Sequence, residues 1–98
     1  MHMTGKDRAA LKRLGQSLEP VIWVGKSGLT PALEKSVDEA LTARELVKGK
    51  VQPESPLSAR EVGEILAEAC QASMVATIGR TFLLYRPDPD QPRITLEG

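Results

Sequence analysis

The chain predicts an α/β (α+β) domain: a two-layer sandwich of one mixed four-stranded sheet and three helices, in the order α-β-α-β-α-β-β. Three observations carry that prediction. Apolar residues switch between helical spacing and short strand-like runs along the chain. Two helix starts are written in capping residues, Thr30-Pro31 and Ser58-Ala59-Arg60-Glu61. Finally, 98 residues with 41% hydrophobic content suffice for one core and leave no room for a second. Residues 1–98 are therefore expected to form a single domain, with an ordered core over about 4–87 and a C-terminal extension over 88–98.

The first helix is expected from near Thr4 to about Ser17, with Leu11, Leu14 and Leu18 as its apolar stripe. At about 100° per residue, Lys6, Arg8, Lys12 and Arg13 fall away from that stripe. Gly15 weakens the last turn. Val21–Val24 reads as a central strand covered on both faces, because its apolar residues point both ways. Trp23, inside that strand, is expected in the core. In the second helix Thr30 is the N-cap and Pro31 the first helical residue, followed by Leu33, Val37, Ala40 and Leu41 at helical spacing.

A second strand spans roughly Leu46–Gln52, where Gly49 marks a weak point, a bulge or a close backbone approach. Pro53-Glu54-Ser55-Pro56 is a loop, and the capping box at Ser58 opens a third helix carrying Val62, Ile65, Leu66 and Ala69. Met74–Ile78 and Thr81–Arg86 are strands joined at Gly79-Arg80 as a hairpin. Pro87–Pro92 is a turn-rich exit, and Arg93–Leu96 is a candidate edge piece. Helical crossovers between the first three strands predict parallel neighbours with right-handed connections.

Between the first strand and the second helix lies Gly25-Lys26-Ser27-Gly28. Glycines let backbone approach a ligand, a helix N-terminus beyond them offers N–H groups, and Lys26 adds a charge. The combination favours an anion. A Walker A loop would need glycine at position 20, which is Pro20, and a solvated cradle where Val21, Ile22, Trp23 and Val24 stand. The nucleotide-hydrolase reading fails at those residues. Two readings remain for these four residues taken alone: a GXXG turn that clamps a nucleic-acid backbone, as KH modules use, and a plain structural turn.

Thirteen Lys and Arg balance thirteen Asp and Glu. Zero net charge argues against a general polyanion binder, but the charges are segregated. Residues 1–30 hold Lys6, Arg8, Lys12, Arg13 and Lys26 against Asp7 and Glu19, whereas residues 58–72 hold Arg60 against Glu61, Glu64 and Glu68. A basic face toward RNA and an acidic one toward solvent fit that pattern. The single Cys70 has no partner for an internal disulfide and reads as a reduced, partly buried thiol. His2 stands alone in a terminus expected to fray, and Met3 leaves open whether Met1 and His2 are native. No His/Cys/Asp cluster has ligand spacing, and no Ser–His pair forms a nucleophile, so neither metal nor catalytic residues are assigned. No apolar run is long enough to cross a bilayer, and no signal peptide opens the chain, so a cytoplasmic location is expected.

Three blocks, taken in order, resemble a known family. They are Leu18 through Thr30 (LEPVIWVGKSGLT), Arg44 through Lys50 (RELVKGK) and Ile78 through Pro87 (IGRTFLLYRP). The chain resembles the CRM domain family of chloroplast RNA-splicing and ribosome-maturation proteins, in its stand-alone bacterial YhbY-like form, from about Lys6 to Pro87. The resemblance implies a fold similar to the C-terminal domain of translation initiation factor three. It also implies binding to structured RNA, in bacteria precursor ribosomal RNA of the large subunit. Gly25, Lys26, Ser27 and Gly28 match the family's GXXG turn, and Lys12 and Arg13 its basic first helix. Gly49 departs from the β-branched residue common there, and Glu19 from a frequent base.

The expected partner is therefore RNA, or pre-ribosomal particles, bound by a monomer without membrane, nucleotide or other cofactor. The site is Gly25, Lys26, Ser27 and Gly28 with Lys12 and Arg13. Thr30 is read as the helix cap, and Lys48, Lys50, Arg80 and Arg86 are weaker candidates whose facing the sequence leaves open. With 3% aromatic residues, contact by shape and backbone is expected rather than base stacking. A protein-interaction module for ribosomal proteins is the alternative.

Overall fold

Each helix begins at a polar cap. In the computed structural model, which describes residues 3–96, Thr4 precedes α1 (Gly5–Gln16). Its hydroxyl accepts from the Asp7 amide at 3.0 Å, while the Asp7 carboxylate accepts from the Thr4 amide at 3.2 Å. Thr30 caps α2 (Pro31–Arg44) by accepting from the Leu33 amide at 3.1 Å, with Pro31 filling a position whose N–H would lack a partner. Ser58 and Glu61 form the reciprocal box that opens α3 (Ala59–Ala69). Met1 and His2, expected to fray, lie outside the described residues.

The strands are β1 (Ile22–Val24), β2 (Leu46–Val51), β3 (Ser73–Ile78) and β4 (Thr81–Tyr85), in the sheet order β1-β2-β4-β3. β1 and β2 are parallel, while β4 pairs antiparallel with both β2 and β3. The three helices, the mixed four-stranded sheet and the element order agree with the sequence prediction. Strand adjacency does not. β2 and β3 run the same way but are not neighbours, because β4 turns back at Gly79-Arg80 and inserts between them. A crossover specifies direction; only the hairpin's return decides who sits beside whom.

Alternation along the strands sends side chains to two different cores. One face carries Ile22, Val24, Val47, Val51, Phe82 and Leu84 against Val37 and Leu41 of α2 and Val62 and Leu66 of α3. Gly49 points to this face, directly opposite Phe82 in the β2–β4 register. A Cβ at Gly49 would lie 2.1 Å from Phe82 Cζ, so the glycine makes room for the ring rather than weakening the strand. On the other face Leu46, Val75, Leu83 and Tyr85 gather around Leu11 of α1. The two-layer expectation thus describes the α2/α3 side, and α1 adds partial cover to the second face.

Two helix stripes differ from expectation. α1 buries Asp7, Leu11 and Gly15, with Leu18 beyond, and leaves Leu14 exposed. Gly15 is buried because Leu83 fills the space its side chain would take. In α3 the buried row is Ala59, Val62, Gly63, Leu66 and Ala67, leaving Ile65 and Ala69 outward.

β1 is an edge strand, not a central one, and its other face is open. Ile22 and Val24 are buried, but Trp23 between them is 52% exposed, contrary to its expected place in the core. The chain beyond β4 forms no edge strand at 93–96. Instead Glu45, in a left-handed conformation (φ 64°) at the end of α2, holds it. The buried Glu45 carboxylate accepts from the amides of Asp88, Arg93 and Ile94 at 2.6, 2.9 and 2.9 Å. Burial raises the Glu45 pKa, but these three amides and the nearby Arg93 outweigh it, and the net direction is downward.

Candidate functional site

The turn between β1 and α2 is closed by a hydrogen bond from the Gly28 amide to the Gly25 carbonyl at 3.0 Å. Gly28 is buried with φ +64°, a conformation that disfavours any side chain, and a Cβ there would also meet Pro56. Gly25 sits against Gln52. These contacts seat the two glycines on the 52–56 loop and turn Lys26 and Ser27 outward, where both are exposed. Thr30 is engaged in capping, as expected.

α1 presents Lys12 and Arg13 as exposed cations. Lys12 borders a groove of about 200 Å³ between α1 and the open sheet face, with Gln16, Lys48, Ala76, Ile78 and Thr81 around it. Arg13 lies further round the helix. Arg8 is occupied: its guanidinium donates to the carbonyls of Met74 and Val75, at 2.9 and 2.5 Å. Val75 is the extra residue of a bulge in β3, and Arg8 clamps α1 to it.

The weaker candidates separate cleanly. Lys48 and Lys50 alternate with Val47, Gly49 and Val51, which face the α2/α3 core, so both lysines project onto the open side. Arg80 is exposed at the hairpin tip, where its carbonyl accepts from the Val51 amide. Arg86 is structural. It donates to Asp38 Oδ1 at 2.6 Å, the Cys70 carbonyl at 2.8 Å and Thr42 Oγ1 at 2.8 Å, joining β4 to α2 and the end of α3. Cys70 is buried and free, its thiol pushed up in pKa chiefly by desolvation, which suits packing rather than nucleophilic work.

Sequence reasoning underrated the open face. The period-two spacing of Lys48 and Lys50 already put them on one side of β2, but which side was open depended on where the helices dock. Among the described residues no group of three or more His, Cys, Asp or Glu could hold a metal ion, and no helix is long and apolar enough to cross a membrane.

The chain is similar to known proteins in sequence and in fold. The family model of the CRS1/YhbY (CRM) domain matches residues 3–86. The chain is 34% identical to "Probable RNA-binding protein YqeI" of Bacillus subtilis, over 96% of its own length and 98% of that protein. It is 40% identical to "Probable RNA-binding protein MJ0652" of Methanocaldococcus jannaschii over 87% of its length, but spans only 64% of that longer relative. The solution structure of the hypothetical protein SAV1595 from Staphylococcus aureus superposes with a TM-score of 0.81 at 30% identity, covering 97% of this chain and 99% of that one. The match over most of the chain, with the similarity to these relatives, establishes that the chain belongs to the CRS1/YhbY (CRM) domain family.

Proposed function

We propose that this protein binds structured RNA by its sugar–phosphate backbone, and that it serves as a large-subunit ribosomal RNA maturation factor in the cytoplasm, acting as a monomer without catalysis. The observation that carries the reading is the outward Lys26-Ser27 pair, held before α2 by two glycines seated on the 52–56 loop. Lys26 supplies a point charge for a phosphate, and Ser27 a hydroxyl for phosphate or 2′-OH. The exposed cations of α1 extend the contact through Lys12 and Arg13. RNA binding is what the relatives' names state of those proteins, and the ribosomal assignment follows from the family resemblance of the three sequence blocks.

The test is affinity for a structured RNA against salt. Each phosphate contact should cost about 0.7–0.9 log units of affinity per log of salt. Lys26→Ala should weaken binding and shallow that slope by about one contact. Salt-indifferent binding, or unchanged affinity in Lys26→Ala, overturns the reading.

A further inference from the structure

One cross-strand row on the open face belongs to no packing role. The registers Trp23↔Lys50, Lys50↔Thr81 and Ile78↔Thr81 align four residues from four strands side by side. Trp23 is 52% and Ile78 63% exposed, while Ile22 and Val24 on either side of Trp23 are buried. Lys50 Nζ lies 5.9 Å from the centre of the Trp23 ring, within cation–π range. The row contains a lysine and no acid, and it runs through Thr81 and Ile78 into the groove lined by Lys12 and Lys48. Gly25 begins two residues after Trp23, so the row is continuous with the proposed phosphate-gripping turn.

From this geometry we infer that Trp23 is a stacking platform for one unpaired base of the bound RNA, with Lys50 meeting that nucleotide's phosphate. Lys50 stands over one face of the half-exposed indole, so a base would take the other, and base–aromatic stacking tolerates any base. Lys50 and Lys48 give the platform the charge that a nucleotide needs and an apolar protein segment does not. The ligand class is thereby narrowed, on the proposed RNA reading, from structured RNA in general to a helix carrying a bulge or a single-stranded flank. A duplex alone keeps its bases stacked and has none to offer.

Trp23 is the chain's single tryptophan, so its fluorescence reports stacking directly. Wild-type protein, Trp23→Ala, Trp23→Phe and Lys26→Ala would be titrated with two blunt-ended two-strand RNA duplexes of equal length, one fully paired and one with a single-nucleotide bulge. The bulged RNA is expected to quench the tryptophan emission and the paired RNA to leave it unchanged. Trp23→Ala should lose roughly 5- to 150-fold in affinity for the bulged RNA and little for the paired one, and Trp23→Phe should recover most of the loss. Unquenched emission with equal affinities for wild type and Trp23→Ala overturns the platform while leaving the RNA reading intact, provided Lys26→Ala still weakens both RNAs. Binding of neither RNA by wild-type protein overturns both. Quenching by an apolar peptide without RNA would reassign the row to a protein partner and overturns the platform as well.

Discussion

The two faces of the sheet are made from the same strands but are covered unequally. On the α2/α3 side, Phe82, Leu84, Val47 and Val51 are sealed beneath two helices, and Arg86 bridges the elements around them. On the α1 side a single helix covers one part, around Leu11 and Leu83, and leaves Trp23, Lys48, Lys50 and Ile78 beside an open groove. Apolar and charged residues alternate on β2, yet burial is decided by how much helix each face receives. The lesson is that the closed face sets stability and the open face is free to carry function, so changes on the two should separate in their effects.

Substitutions on each face test that separation. The largest effect is expected from Phe82→Ala on the closed face, about 3–5 kcal/mol by urea denaturation, because a fully buried ring leaves a cavity over Gly49. Glu45→Gln comes next, at about 1.5–3 kcal/mol, since it weakens the charge-assisted acceptance of three backbone amides. The Glu45 pKa in the fold lies below its ordinary value of 4.5, so its contribution is full above that value and is lost as pH falls through the depressed one. Acid titration should therefore loosen residues 88–94 in the wild type, seen as faster amide exchange, and show a smaller change in Glu45→Gln. Gly49→Val should cost about 1–3 kcal/mol by forcing the Phe82 ring aside. The smallest stability effect belongs to the open face: Lys48→Ala with Lys50→Ala should stay within about 0.5 kcal/mol in denaturation while weakening RNA affinity. A large stability loss in that pair would erase the distinction between the faces.

Helix starts were legible residue by residue, because a cap is a local bargain between a side chain and an amide two or three positions on. Thr30 and Ser58 behave as their sequence context specified. The GXXG turn was equally readable, since Gly28 needs a left-handed backbone that few other residues accept. Leu14 and Trp23 were misjudged for one reason: hydropathy says that a residue can be buried, not that a neighbour exists to bury it. Glu45 gave no local signal at all. Its three amide donors lie more than forty positions away, and only folding brings them to it.

Interactions within a few residues were enough to set the elements, their order, their caps and the turn that carries Lys26. Packing between distant segments placed β4 between β2 and β3, put β1 at the edge, and left part of one sheet face uncovered. Those outcomes depend on which surfaces meet over long chain separations, where the gain from burying area is shared among many residues and written in none of them.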